Sequence, residues 1–103
     1  MADPMKIRAT LQGDTVEVKV LMSHEMETGQ RKDASGAVIP AHFINTVTAS
    51  CNGKTVLTAH WGPAVSKNPY LAFKFRGAAK GDKVKITWTD NKGETRTDEG
   101  AIV

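Results

Sequence analysis

Apolar and polar residues alternate with period two along most of this chain. Met5, Ile7, Ala9 and Leu11 alternate with Lys6, Arg8, Thr10 and Gln12. After Gly13-Asp14 the pattern restarts: Val16, Val18, Val20 and Met22 alternate with Thr15, Glu17 and Lys19, and Leu21 breaks the polar side. Leu71, Phe73 and Phe75 alternate with Lys74 and Arg76; Val84, Ile86 and Trp88 alternate with Lys83, Lys85, Thr87 and Thr89. In a strand successive side chains point to opposite faces, so each run predicts a strand with one buried side. The segment His42–Cys51 is rich in β-branched residues, and its apolar positions change parity midway. That predicts a strand with a bulge, or one buried on both faces.

Turn chemistry separates these runs. Asn52-Gly53 lies between two β-rich runs. It predicts a tight hairpin into a strand over 55–59, because both residues tolerate positive φ. Asp90-Asn91-Lys92-Gly93 predicts a second hairpin, whose polar last strand, Glu94 to Ile102, belongs at a sheet edge or partly against a partner. The stretch Gly77 to Lys83 reads as a further hairpin loop, since its glycine spacing is wrong for a phosphate loop and a strand follows it. No amphipathic helix is indicated. About seven short strands predict an all-β fold, an immunoglobulin-like antiparallel β-sandwich, with a small barrel as the alternative. Two long loops, Ser23–Ile39 and Trp61–Asn68, interrupt this layout and are where binding is expected.

The chain has 103 residues, enough for one domain over 1–103. Its residues are 40% hydrophobic and 24% charged. That is the composition of a folded globule. No apolar run reaches the ~20 residues of a membrane helix. The net charge of +3 is too small to imply nucleic acid by itself. Residues 67–96 carry eight Lys or Arg against Asp82, Asp90 and Glu94, a basic face suited to an acidic protein or small oxyanions. The N-terminal residues show no secretory signal pattern.

Candidate chemistry is sparse. His24-Glu25 begins a zinc-protease signature, but Thr28 stands where its second His belongs. His24, His42 and His60 lie on separate segments with no ligand spacing, so no metal site is expected and the histidines read as surface or hydrogen-bonded loop residues. Cys51, the single cysteine, sits beside a tight turn and reads as a buried or half-buried thiol. As a nucleophile it needs a base, and His60 across the hairpin is the candidate. Met22, His24, Met26, Trp61, Pro63 and Tyr70 surround the two loops as candidate partner-binding residues. Met22 also continues the Val16–Val20 core face, which leaves Met26 and Trp61 as the better anchors.

Three strings carry a resemblance over essentially the whole chain: Leu21-Met22-Ser23-His24-Glu25-Met26-Glu27-Thr28-Gly29-Gln30-Arg31-Lys32-Asp33, Ile39-Pro40-Ala41-His42-Phe43-Ile44, and Trp61-Gly62-Pro63-Ala64-Val65-Ser66-Lys67-Asn68-Pro69. They resemble the SoxZ family, as does Trp88-Thr89-Asp90-Asn91-Lys92-Gly93. The resemblance implies an immunoglobulin-like sandwich without cofactor or catalytic residue, paired with a SoxY subunit. In that family SoxY carries thiosulfate-derived intermediates on the cysteine of a glycine-flanked C-terminal arm, moving among the other sulfur-oxidation enzymes. It also implies a periplasmic address, reached by export with the signal-bearing partner, and no contact with nucleic acid or membrane. Cys51, between Ser50 and Asn52, lacks the glycine flanks of a swinging arm and inherits no carrier role. A sandwich module for a small oxyanion, or an enzyme using a metal or Cys51, are the other readings of the residues.

Overall fold

The computed structural model describes residues 3–103; Met1 and Ala2, part of the segment read for a leader, lie outside the described residues. Seven strands form: β1 (Lys6–Gln12), β2 (Thr15–Leu21), β3 (Ile44–Cys51), β4 (Lys54–His60), β5 (Tyr70–Arg76), β6 (Lys83–Asp90) and β7 (Thr95–Ala101). They make two antiparallel sheets, ordered β1-β2-β5 and β4-β3-β6-β7. This is the expected immunoglobulin-like sandwich, and the polar β7 lies at a sheet edge as expected. No residue from 3 to 103 is helical.

The alternation dictates the core. In the first sheet the rows Ile7–Val20–Leu71, Ala9–Val18–Phe73 and Leu11–Val16–Phe75 face inward. Val47, Ala49, Val84, Ile86 and Trp88 from the second sheet are fully buried against them. The change of parity in β3 is a register shift between Ile44 and Thr46, which lets Ile44 and Val47 both point inward across the irregularity. Asn52 (φ 54°) and Gly53 (φ 77°) both adopt positive φ. They form the two-residue turn from Cys51 to Lys54.

One expectation is corrected. Residues 77–82 are not a hairpin loop, because β5 and β6 belong to different sheets, so the segment crosses from one layer to the other. Local turn residues are the same in both cases, and only the partner of β6 decides between them. The sheets are also joined along one side. Past β7 the chain pairs parallel with β1 through Ala9 and Ile102, with Leu11 N–H donating to Val103 O at 2.9 Å and Val103 N–H to Ala9 O at 3.0 Å. Gly100 permits this seam: a Cβ there would stand 2.7 Å from Ile7 Cγ2 and 3.1 Å from Ile7 Cβ.

The topology sorts the connections. The two long loops and the β6–β7 turn lie at one end of the sandwich; the Gly13-Asp14 turn, the Asn52-Gly53 turn and the 77–82 crossing lie at the other.

Gly100→Ala is expected to lower stability by about 1–3 kcal/mol, since the β-branched Ile7 has little room to yield. Urea denaturation checks this; an unchanged midpoint would mean the β1–β7 seam is loose.

Candidate functional site

The loop end is built around a buried carboxylate. Asp90 closes β6 and is 2% exposed. Its Oδ1 accepts the N–H groups of Lys92 (3.0 Å) and Glu94 (2.9 Å), which folds the turn into β7. Its Oδ2 accepts from His24 Nε2 at 3.1 Å and from His42 Nε2 at 2.8 Å. Backbone pairing sets His42 in place: Glu27 N–H donates to His42 O at 2.7 Å, and His42 N–H to Glu27 O at 3.0 Å. Asn91 fastens the same segment, accepting from Phe43 N–H at 2.8 Å and donating to Ala41 O at 2.8 Å. The two long loops are joined by His24 and Asn68, since Asn68 N–H donates to His24 O and Asn68 Oδ1 accepts from His24 N–H.

The imidazole of His24 stands edge-on to Trp88, with ring centroids 5.1 Å apart. Met26 N–H donates to His24 Nδ1 at 3.1 Å. That nitrogen therefore carries no proton, and the neutral ring carries it at Nε2, facing Asp90. Met26 takes positive φ (51°). This is an uncommon conformation for a side-chain-bearing residue. It is held there by the contact with His24 and by its Sδ, which accepts from Ile44 N–H at 3.3 Å.

Burial raises the pKa of Asp90, but the N–H donors of His24, His42, Glu94 and Lys92 outweigh it and hold the carboxyl below its ordinary value. The ligand atoms of His24, His42 and Asp90 lie within 4.8 Å of one another, as a metal site requires. The donor set does not fit one as it stands. With Nδ1 accepting from Met26 and Nε2 protonated, His24 has no lone pair to offer a cation unless the Met26 contact breaks. The site reads as a closed structural clip.

The six residues proposed from sequence do not form one surface. Met22 (0% exposed), Met26 (5%) and His24 (7%) are buried, with their side chains in the core or the clip. Trp61 is half-buried against the core. Pro63 is exposed on a surface groove of about 410 Å³ between the two loops, which also borders Glu25, Glu27, Arg31 and Lys67. Tyr70 stands apart, exposed beside Leu21 on the outer face of the first sheet.

Sequence reasoning missed the convergence of Asp90 with His24 and His42, from positions 66 and 48 residues away. The only local signal was Asp90 at the start of a turn, where a side chain that bonds its own backbone is favoured. His60 does not face Cys51: it pairs with Thr46, while Cys51 pairs with Lys54. Cys51 is a buried thiol at a strand end, as expected, and burial together with the charge of Asp82 pushes its pKa up.

A family of known proteins matches this chain. The model described as "SoxZ: Sulphur oxidation protein SoxZ" matches residues 5–101. The chain belongs to the SoxZ family. No curated protein matches it. Among solved structures, a hypothetical protein from Pyrococcus horikoshii is similar to this SoxZ-family chain with 18% identity and a TM-score of 0.63, over 99% of this chain and 89% of that one. A superoxide reductase (neelaredoxin) from Ignicoccus hospitalis is similar with 14% identity and a TM-score of 0.61, over 98% and 80% of the two chains. At these identities the likeness is one of fold. SoxZ-family membership places the chain in sulfur oxidation, as a subunit of a carrier complex.

Asp90→Asn is expected to cost about 2–3 kcal/mol at neutral pH, because an amide cannot accept from all four donors. The lowered carboxyl contributes stability that is fully present above its ordinary value of about 3.9 and fades as pH falls through the folded value. Denaturation of both proteins at pH 7 and near pH 3 checks this; the gap between them narrows on acidification, and a constant gap would contradict the assignment.

Proposed function

We propose that this chain is a non-catalytic subunit of a periplasmic sulfur carrier complex. It binds and presents a SoxY-like partner whose C-terminal cysteine holds thiosulfate-derived intermediates, and the pair forms a heterodimer or a larger assembly. It is exported with that partner, which bears the signal.

The observation that carries the non-catalytic part is the state of Cys51. A sulfur carrier needs a thiolate that can reach several enzymes. Cys51 is 5% exposed, its pKa is raised, and its neighbours are Ser50 and Asn52 at a tight turn. The sequence has one cysteine, and this supports the reading that the sulfur rides on another chain. The imidazoles of His24 and His42 are both engaged by Asp90 at Nε2 and lie at the opposite end of the sandwich from Cys51, so neither activates that thiol.

The loop end is our choice for the partner's main contact. Trp61 and Pro63 remain from the sequence-derived set, beside a groove whose walls mix Ala64 and Val65 with Lys67 and Arg31. An apolar floor with a charged rim is the usual make-up of a specific interface.

Two measurements test the reading. Thiol titration of the folded protein with an aromatic disulfide reagent should label Cys51 only on unfolding; rapid native labelling would contradict its sealed state. The purified chain should pair with the SoxY-like subunit, and Cys51→Ser should leave sulfur oxidation by the reconstituted complex unchanged. Absence of pairing, or loss of oxidation in the Cys51→Ser complex, would reject the proposal. Pro63→Arg should weaken pairing roughly tenfold if the groove is used, measured by titration calorimetry.

A further inference from the structure

We infer that the outer face of the β1-β2-β5 sheet is a docking surface for acidic protein partners, namely the enzymes that act on the carried sulfur. The inference rests on the carrier role proposed above. Three observations on that face converge.

The first is charge. Register places Lys6, Leu21 and Tyr70 in one outward row, Arg8, Lys19 and Ala72 in the next, then Thr10, Glu17 and Lys74, and finally Gln12, Thr15 and Arg76. Five basic side chains stand there against one acid, Glu17, an excess of four on a chain whose whole net charge is +3. The rest of the molecule therefore sums close to neutral, and the net positive charge of the chain is carried by this face. Glu17 pairs with Lys19 at 3.6 Å and Lys74 at 4.0 Å, and Asp14 in the adjoining turn pairs with Arg76 at 3.7 Å. Among the described residues Lys6 and Arg8 have no ion-pair partner, and both are exposed.

The second is apolar surface. Four large apolar side chains of the described chain are well exposed, and two of them, Leu21 (42%) and Tyr70 (60%), are cross-strand neighbours in the first of these rows. Leu21 is the residue that breaks the polar side of its strand. A lone exposed leucine needs no explanation, but a paired leucine and tyrosine ringed by cations does. The third is shape: Leu21, Tyr70, Ile7, Lys6, Arg8 and Lys19 line a shallow depression of about 300 Å³.

An apolar centre with an unneutralised basic rim fits a protein surface that offers carboxylates around an aliphatic or aromatic side chain. A small oxyanion fits less well, because Leu21 and Tyr70 give it nothing and an open sheet face leaves its hydration in place. The rim is exposed and salt-screened, so such a contact speeds encounter and breaks easily. That suits a carrier that must leave each enzyme after one step. The row holding Leu21 and Tyr70 borders the loop end, so an enzyme docked here lies beside the partner subunit as we place it.

The test uses the assembled complex of this chain with its cysteine-bearing subunit, and the purified sulfur-oxidising enzymes that act on that complex. Compared are wild type, Lys6→Glu/Arg8→Glu and Leu21→Ser. The variants should retain the partner subunit and kcat, while KM for the complex rises roughly tenfold in the charge-reversed form and its dependence on ionic strength flattens. Unchanged KM and salt dependence in complexes that assemble normally would overturn the inference and leave the carrier role standing. Loss of subunit pairing in variants that keep the wild-type melting temperature would also overturn it, by giving this face to the partner subunit. Sedimentation with phosphatidylglycerol vesicles that depends on Lys6 and Arg8 would overturn it in favour of a lipid surface. If the wild-type chain and its partner do not associate, the carrier role falls and this inference with it.

Discussion

The loop end of this protein depends on one carboxylate accepting four N–H donors. Asp90 uses one oxygen to fold the turn that returns β6 into β7, and the other to hold His24 and His42. The segment between β2 and β3 runs from Met22 to Phe43 and buries only Met22, Met26 and Phe43 of its apolar side chains in or against the core. Ordering so long a connection costs conformational entropy that surface polar contacts do not offset. The buried carboxylate contributes to offsetting it because it is desolvated and fully satisfied, the condition under which polar networks in low dielectric are strong, and Met22, Met26 and Phe43 add apolar burial on the core. The backbone pairing of Glu27 with His42 and the strained Met26 follow from where the imidazoles must stand. The same arrangement limits chemistry, since a histidine engaged as donor to a carboxylate and acceptor from a backbone amide has no lone pair left for a metal or a substrate proton.

The two sheets are unequal, and the inequality bears on binding. β3 and β6 sit centrally in the larger sheet and are buried along their inward faces. In the smaller sheet β2 is central and sealed, while Leu71, Phe73 and Phe75 of the edge strand β5 are half-buried. The seam with the C-terminal segment closes the other edge, at β1. With its inward side committed to the core, the smaller sheet offers its outer face and the β5 edge, and on the outer face the sequence places cations around Leu21 and Tyr70.

How much of this could be read from residue order follows from the range of the interactions involved. Strands, the β3 bulge and the Asn52-Gly53 turn are encoded within a few residues, and their patterns are legible because burial on one face enforces period two. The 77–82 crossing is misread from residue order because a glycine-rich turn looks the same whether the next strand joins its own sheet or the opposite one. The Asp90 clip is invisible there for a related reason: its partners come from another connection, and no spacing rule links them. Met22 is legible as a continuation of the Val16–Val20 core face, whereas the burial of His24 and Met26 is not, because their loop is long and polar, a setting that hides how completely a buried anchor can draw a loop inward. Leu21 is legible as an irregularity, but its meaning requires knowing that Tyr70 is its cross-strand neighbour.

The position of Cys51 completes the division of labour. It lies at the opposite end of the sandwich from the two long loops, beneath the Asn52-Gly53 turn. There burial and the nearby Asp82 disfavour the thiolate. On the carrier role proposed above, a reactive thiol here would compete for intermediates carried by the partner. A buried thiol that keeps its proton avoids this while still filling core volume as a small apolar group does. On the carrier role proposed above, covalent sulfur chemistry is thereby kept off Cys51, and what this chain offers a partner is charge and shape at the loop end and the basic face.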